Sequence, residues 1–201
     1  MSNPNVPFGF QHLGWNRGGP AVTGGIIERK IAAGNNTPIC HGDVVQSLST
    51  GYVAIGASGV SGSNIAGIFL GCRYLSTSQG KMVNAMYWPN GDHAYDGVAL
   101  ILPIAGVPPQ LFKVQAYTTN FTLENIGGTV DINVGTQTIV GGYGISGMTI
   151  VEADATTATL PFRVVDLYSS IAPYGAPGTD DTSNYNIVIV QSNPDYETGI
   201  N

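Results

Sequence analysis

Charge is what this sequence has least of. Seven basic and thirteen acidic residues in 201 make it 10% charged, well under the roughly 25% usual for a soluble domain. The few lysines and arginines are nowhere clustered. The chain therefore lacks the concentrated positive charge that gripping a nucleic-acid backbone requires, and direct nucleic-acid binding is not expected. Long apolar runs are missing too. Although 43% of residues are hydrophobic, no stretch reaches the length of a membrane span, so a membrane is not an expected partner. Cysteine is limited to Cys40 and Cys72, each inside an apolar, strand-like segment. With no further ligands at zinc spacing, these thiols read as two buried small hydrophobes, a disulfide being the lesser alternative.

Catalytic signatures are also scarce. There is no phosphate-cradling glycine loop and no dinucleotide fingerprint. Gly144-Ile145-Ser146-Gly147 and Gly59-Val60-Ser61-Gly62 come near a nucleophile elbow, but the last glycine is misplaced and no helix is expected to follow, so both read as turns. His12, His41 and His93 are far apart. Asp131, Glu152, Asp154 and Asp166 could in principle furnish a glycosidase-type carboxylate pair, yet the simpler reading is outward-facing residues on alternating strands. The polar run Gly91-Asp92-His93-Ala94-Tyr95-Asp96-Gly97 could offer oxygens to calcium, but two carboxylates are too few, and a solvated hairpin loop is the expectation. No cofactor and no enzymatic activity are expected. The N-terminus lacks a basic start and an apolar run, so neither a secretion signal nor a lipid anchor is expected, and synthesis in a cytosol is the default.

What is present is β-forming sequence punctuated by turns, with 28 glycines and 12 prolines. Residues 1–25 hold isolated aromatics, Phe8, Phe10 and Trp15, among Asn, Gly and Pro without a 3.6 or 2.0 period. That pattern predicts an extended arm whose aromatics lie on another surface, preferably a neighbouring subunit. Beyond it, residues 26–201 are expected to form the β domain. Short strand-like runs recur at 26–31, 42–48, 52–55, 65–74, 82–88, 98–102, 111–116, 130–134, 148–152, 162–167 and 187–191, with 65–74 the most apolar and therefore central. In 111–116, alternation places Phe112, Val114 and Ala116 on one face. A weak helical signal covers 118–126, and 171–184 reads as a long exposed loop. The expected fold class is all-β, a single sandwich or barrel of about ten short strands.

So many neutral residues leave much uncharged surface, which suits contact with copies of the same chain or with partners. Tyr87, Trp88 and Tyr95 flank the Pro89-Asn90-Gly91 turn. They are candidate interface anchors and, in an alternative reading, a stacking platform for sugars in a tail- or fibre-associated receptor-binding module.

Several segments, taken in order, resemble the decoration or cement proteins that tailed bacteriophages encode close to their major capsid protein. They are Pro7-Phe8-Gly9-Phe10, His41-Gly42-Asp43-Val44-Val45, Gly67-Ile68-Phe69-Leu70-Gly71-Cys72-Arg73-Tyr74 and Phe112-Lys113-Val114-Gln115-Ala116. Gly127-Gly128-Thr129-Val130-Asp131-Ile132, then Gly147-Met148 through Leu160-Pro161-Phe162-Arg163-Val164-Val165, and the final strand Asn186-Ile187-Val188-Ile189-Val190 continue the order. The resemblance covers most of the chain. It implies a non-enzymatic, β-rich homodimer or homotrimer made in the bacterial host cytoplasm, located on the outer surface of the virion capsid and bound to the major capsid protein. It carries no catalytic residue to transfer.

Overall fold

The computed structural model describes residues 3–15, 25–104, 109–152, 160–168, 180 and 182–193, the side chains of Trp15 and Glu152 excepted. The first strands are β1 (Gln11–Trp15), β2 (Ile27–Ile31), β3 (Ile39–Cys40), β4 (Val44–Ser47), β5 (Val53–Ile55), β6 (Ile65–Leu75), β7 (Met82–Ala85) and β8 (Tyr87–Trp88). They are followed by β9 (Gly97–Leu102), β10 (Gln110–Gln115), β11 (Thr129–Asn133), β12 (Thr138–Val140), β13 (Tyr143–Ile145), β14 (Thr149–Glu152), β15 (Phe162–Leu167) and β16 (Ile187–Ser192). The expected all-β class holds, and the architecture is that of a sandwich.

One large sheet runs β1-β10-β16-β15-β11-β14 and the other β2-β9-β6-β4-β5, with β7 beside the far end of β6; β12-β13 and β3-β8 form two small two-stranded sheets. The first sheet curls until Ala116 meets Ile150 in a single parallel bridge, but no continuous ladder closes it into a barrel. β6 lies inside its sheet, as its composition predicts. Its unbroken Ile-Ala-Gly-Ile-Phe-Leu-Gly-Cys run has a plain cause: both faces are buried. Ile68 joins Phe112, Val114, Ile132, Phe162 and Val190 between the sheets, whereas its neighbour Phe69 packs on the opposite side with Ile39, Cys72, Trp88 and Ile101. The predicted alternation of Phe112, Val114 and Ala116 is realised, all three being fully buried.

The described part of the expected arm does not reach outward. Phe10 is 1% exposed and stacks on Phe162 with ring centroids 4.7 Å apart. Gln11–Trp15 adds the edge strand of the first sheet, paired antiparallel with β10. Asn3 secures the start of the segment: its amide donates to the Asp180 carbonyl at 2.7 Å, and the Asp180 N–H donates back at 3.0 Å. The reason is burial: a partner sheet with room for Phe10 exists within the chain, so the aromatic need not seek another molecule. Residues 16–24 of the expected arm, and most of the expected loop at 171–184, lie outside the described residues.

The helical signal at 118–126 yields only a single 3-10 turn, Leu123–Asn125. Three threonines and an asparagine in the first five residues favour local side-chain hydrogen bonds over helix. Asn125 Oδ1 accepts from the Thr122 N–H at 2.7 Å, and Phe121 is buried.

Candidate interaction surface

The surface with the most unusual chemistry is rooted on Asp43. The turn between β3 and β4 reverses the chain at Gly42, whose φ of +90° suits glycine. It directs the Asp43 side chain inward, with no exposure. There the carboxylate accepts from the Cys40 N–H at 2.7 Å and from the Ser146 hydroxyl, while the Gln137 amide approaches at 3.4 Å. Burial is the dominant influence and pushes the carboxyl up to about 6, against the downward pull of the Ser146, Cys40 and Gln137 hydrogen bonds.

Gln137 precedes β12 and Ser146 follows β13. One carboxylate therefore clamps both ends of the β12–β13 hairpin. The fit is tight: a Cβ on Gly9 would lie 2.6 Å from Ser146 Oγ and 2.7 Å from the Gly42 carbonyl, so the N-terminal segment crosses here only because residue 9 is glycine. Ser146 Oγ also accepts from the Met148 N–H at 3.1 Å.

On this fixed root the hairpin carries apolar side chains into solvent. Tyr143 is 72% exposed, Val140 60% and Ile145 53%. Tyr143, Ile145, Phe8, His41 and Met86 line a cleft of about 250 Å³. His41 is held in place by donating Nδ1–H to the Leu70 carbonyl at 3.0 Å. Met86, 53% exposed, also borders a second apolar depression with Leu70, Ala85 and Leu100. Neither lining contains a formally charged Asp, Glu, Lys or Arg side chain. Single exposed apolar residues are ordinary, but a contiguous group on a braced hairpin is characteristic of an interaction site.

Of the anchor candidates read from sequence, Phe8 lies in this cleft, half-buried, and Tyr87 lies near it, its Cβ 2.6 Å from where a Cβ on Gly144 would be. Phe10 is core. Trp15 ends β1, and its side chain lies outside the described residues. Trp88 is fully buried, donating its indole N–H to the Asn35 carbonyl at 2.8 Å, with the His93 ring tilted against it at 4.4 Å between centroids. A platform of Tyr87, Trp88 and Tyr95 is therefore not formed: Trp88 fills the second core, while Tyr95 stands 68% exposed. His93 Nε2–H donates to the Ala33 carbonyl at 2.7 Å.

The carboxylates of the 91–97 loop turn to different partners. Asp92 accepts from the Ser76 hydroxyl at 2.7 Å and the Ser78 N–H at 2.8 Å; Asp96 accepts from the Ala33 N–H and the Tyr52 hydroxyl, each at 2.9 Å. Both are held below the usual carboxylate range, chiefly by those backbone amides. Among the described residues no group of three or more His, Cys, Asp or Glu side chains is placed to hold a metal. Asp131 accepts from the Ser58 hydroxyl at 2.8 Å and the Gly59 N–H at 2.7 Å, and Asp166 accepts from the Leu167 N–H at 2.8 Å. The side chain of Glu152 and all of Asp154 lie outside the described residues. Cys40 and Cys72 are free and buried, their thiols pushed up to about 12 by burial, with the Asp43 charge adding to the effect at Cys40.

In the sequence, Asp43 falls only within the strand-like run 42–48 and the segment 41–45, and residues 144–147 read as a turn with no sign of the hairpin that precedes them. The available signal was Ile-Val-Gly-Gly-Tyr at 139–143, two apolar residues and an aromatic around a Gly-Gly turn. No family model, curated protein or solved structure matches this chain.

Proposed function

We propose that this chain is a capsid decoration subunit of a tailed bacteriophage, a non-enzymatic protein that binds the outer face of the mature head and ties neighbouring capsomers together. The observation that carries the reading is the exposed apolar group formed by Val140, Tyr143 and Ile145, on a hairpin braced from within by Asp43, together with Met86 across the cleft from it. Such a surface binds a partner with little ordering cost, because its backbone is already fixed. The segment order that resembles decoration proteins and the shortage of charge support the same conclusion. The partners in this reading are the major capsid protein and further copies of the chain, as a homodimer or homotrimer.

Cementing follows from linkage: a protein that binds the assembled shell and not its separated subunits adds stability at each occupied site, and many weak sites act together. The test is the copy number in purified virions, measured by mass spectrometry against the major capsid protein. A ratio near one per capsid subunit, or a simple fraction of it, is expected. A handful of copies would move the protein to a tail or fibre, and absence from the particle would overturn the structural role.

A further inference from the structure

A second cleft, of about 330 Å³, has the opposite character. It lies where the N-terminal segment, Tyr117 just beyond β10, and the ends of β11 and β14 meet. Its polar groups are the side chains of Asn5, Tyr117, Asn133, Thr136 and Thr149, with no charged side chain in the lining. A charged ligand entering it would lose water and meet no counter-charge. Amides and hydroxyls, by contrast, both donate and accept, which is the requirement set by a row of neutral hydroxyls. Tyr117, 42% exposed, adds an aromatic surface of the kind that covers the C–H face of a pyranose ring. The volume falls at the small end of ligand pockets, about 300–1,000 Å³.

The cleft is also pre-formed. Asn133 Nδ2 donates to Thr149 Oγ1 at 2.9 Å across the β11–β14 pair. Gly135 and Gly147 touch backbone to backbone: a Cβ on Gly135 would lie 2.0 Å from the Gly147 carbonyl oxygen, and one on Gly147 would lie 2.2 Å from the Thr136 carbonyl oxygen. The Asn5 side is held by Gln115, whose amide donates to the Pro4 carbonyl at 2.9 Å. Tyr117 is held by its N–H to the Ile150 carbonyl at 2.8 Å. The residue after it, Thr118, has φ +21°, and the Thr119 N–H turns back onto the Tyr117 carbonyl. Backbone strain of this kind at a β-branched residue costs free energy and gathers at binding sites, where the surroundings enforce it.

We propose that this cleft binds a neutral saccharide of one or two pyranose rings, with Tyr117 stacking on a ring and Asn133 and Thr136 hydrogen-bonding its hydroxyls. The inference stands apart from the capsid reading, since its site shares no lining residue with the apolar cleft. The test uses the full chain, isotopically labelled, titrated with methyl glycosides of glucose, galactose, mannose and N-acetylglucosamine and with maltose, lactose and cellobiose. At least one probe should shift the amide signals of Tyr117, Asn133, Thr136 and Thr149 together. Tyr117→Ala should weaken that probe's binding about tenfold. Thr136→Arg, at an exposed position that leaves the core untouched, should abolish it while the unfolding midpoint stays unchanged. Silence with every probe, shifts confined to other parts of the molecule, or binding unaltered in both variants would overturn the proposal.

Discussion

Two clefts lie against the same two stretches of chain, residues 5–8 and 144–149, and offer opposite chemistry. Pro7 lines the polar cleft and Phe8 the apolar one; Ser146 lines the apolar cleft and Gly147 the polar one. Consecutive residues of an extended chain point to opposite sides, so one pair of crossing segments can furnish two unlike surfaces. The apolar cleft is bounded by exposed aliphatic side chains, Ile145 on the projecting hairpin and Met86 between β7 and β8. The polar cleft is bounded by backbone contacts that leave no room for a single Cβ. A surface built to meet a broad partner can yield at its side chains, whereas a surface built for a small ligand needs fixed walls.

The largest effect should come from breaking the rigid side. Gly147→Ala drives a methyl into the backbone of Thr136 and should cost about 3 kcal/mol of stability in urea or guanidinium unfolding. Amide signals at Asn133 and Thr136 should move more than those at Met86. A smaller cost, with the signals in place, would mean that the polar cleft is as yielding as the apolar one.

Next in size is Asp43, the root of the apolar side. Its folded value of about 6 lies above the ordinary 3.8, so the folded protein holds this proton more tightly than the unfolded chain does. The resulting stabilisation is complete below the unfolded value and is lost as pH rises through about 6. Stability should therefore increase by on the order of 2–3 kcal/mol as pH falls from about 7 to about 4. Asp92, Asp96 and Asp180, held low by hydrogen bonds, act in the opposite sense, beginning only at the acid end of that window as pH nears their unfolded value. In Asp43→Asn the rise should vanish. A slope identical to that of the parent protein would remove Asp43 as its source.

The smallest change in stability should accompany the largest change in association. Tyr143→Ser with Ile145→Ser removes exposed apolar groups only, and should leave unfolding within about 0.5 kcal/mol. Occupancy on particles, measured in a reconstitution against native protein, should fall at least about tenfold. Full occupancy would place the capsid contact elsewhere on the surface.

The sequence and the structure agree wherever burial is periodic. β6 and β10 were legible because an apolar run on a two-sided strand, and strict alternation on a one-sided one, each report their surroundings directly. Phe10 was not, because its partner Phe162 lies far along the chain and nothing near residue 10 signals that a sheet edge awaits it. Trp88 and Tyr95 look alike beside a turn, yet one fills a core and the other stands in solvent; the distinction depends on the loop containing Ala33 and Asn35, which accepts hydrogen bonds from His93 and Trp88. Asp43 was hidden for a similar reason: its meaning comes from Gln137 and Ser146, about a hundred residues away. The polar cleft could not be read at all, since Tyr117 falls between the strand-like run 111–116 and the weak helical signal at 118–126, and its neighbours in the cleft come from three other segments.

The edge strand β1 also sets an order on synthesis. Its ladder partners are Gln110 through Lys113, so β1 has no place to dock until nearly a hundred further residues have followed it. Throughout that interval Phe10 lacks the ring of Phe162, and β2, β4, β5, β6, β7 and β9, which form the other large sheet, are all made first. β1 is therefore made long before the strand it pairs with.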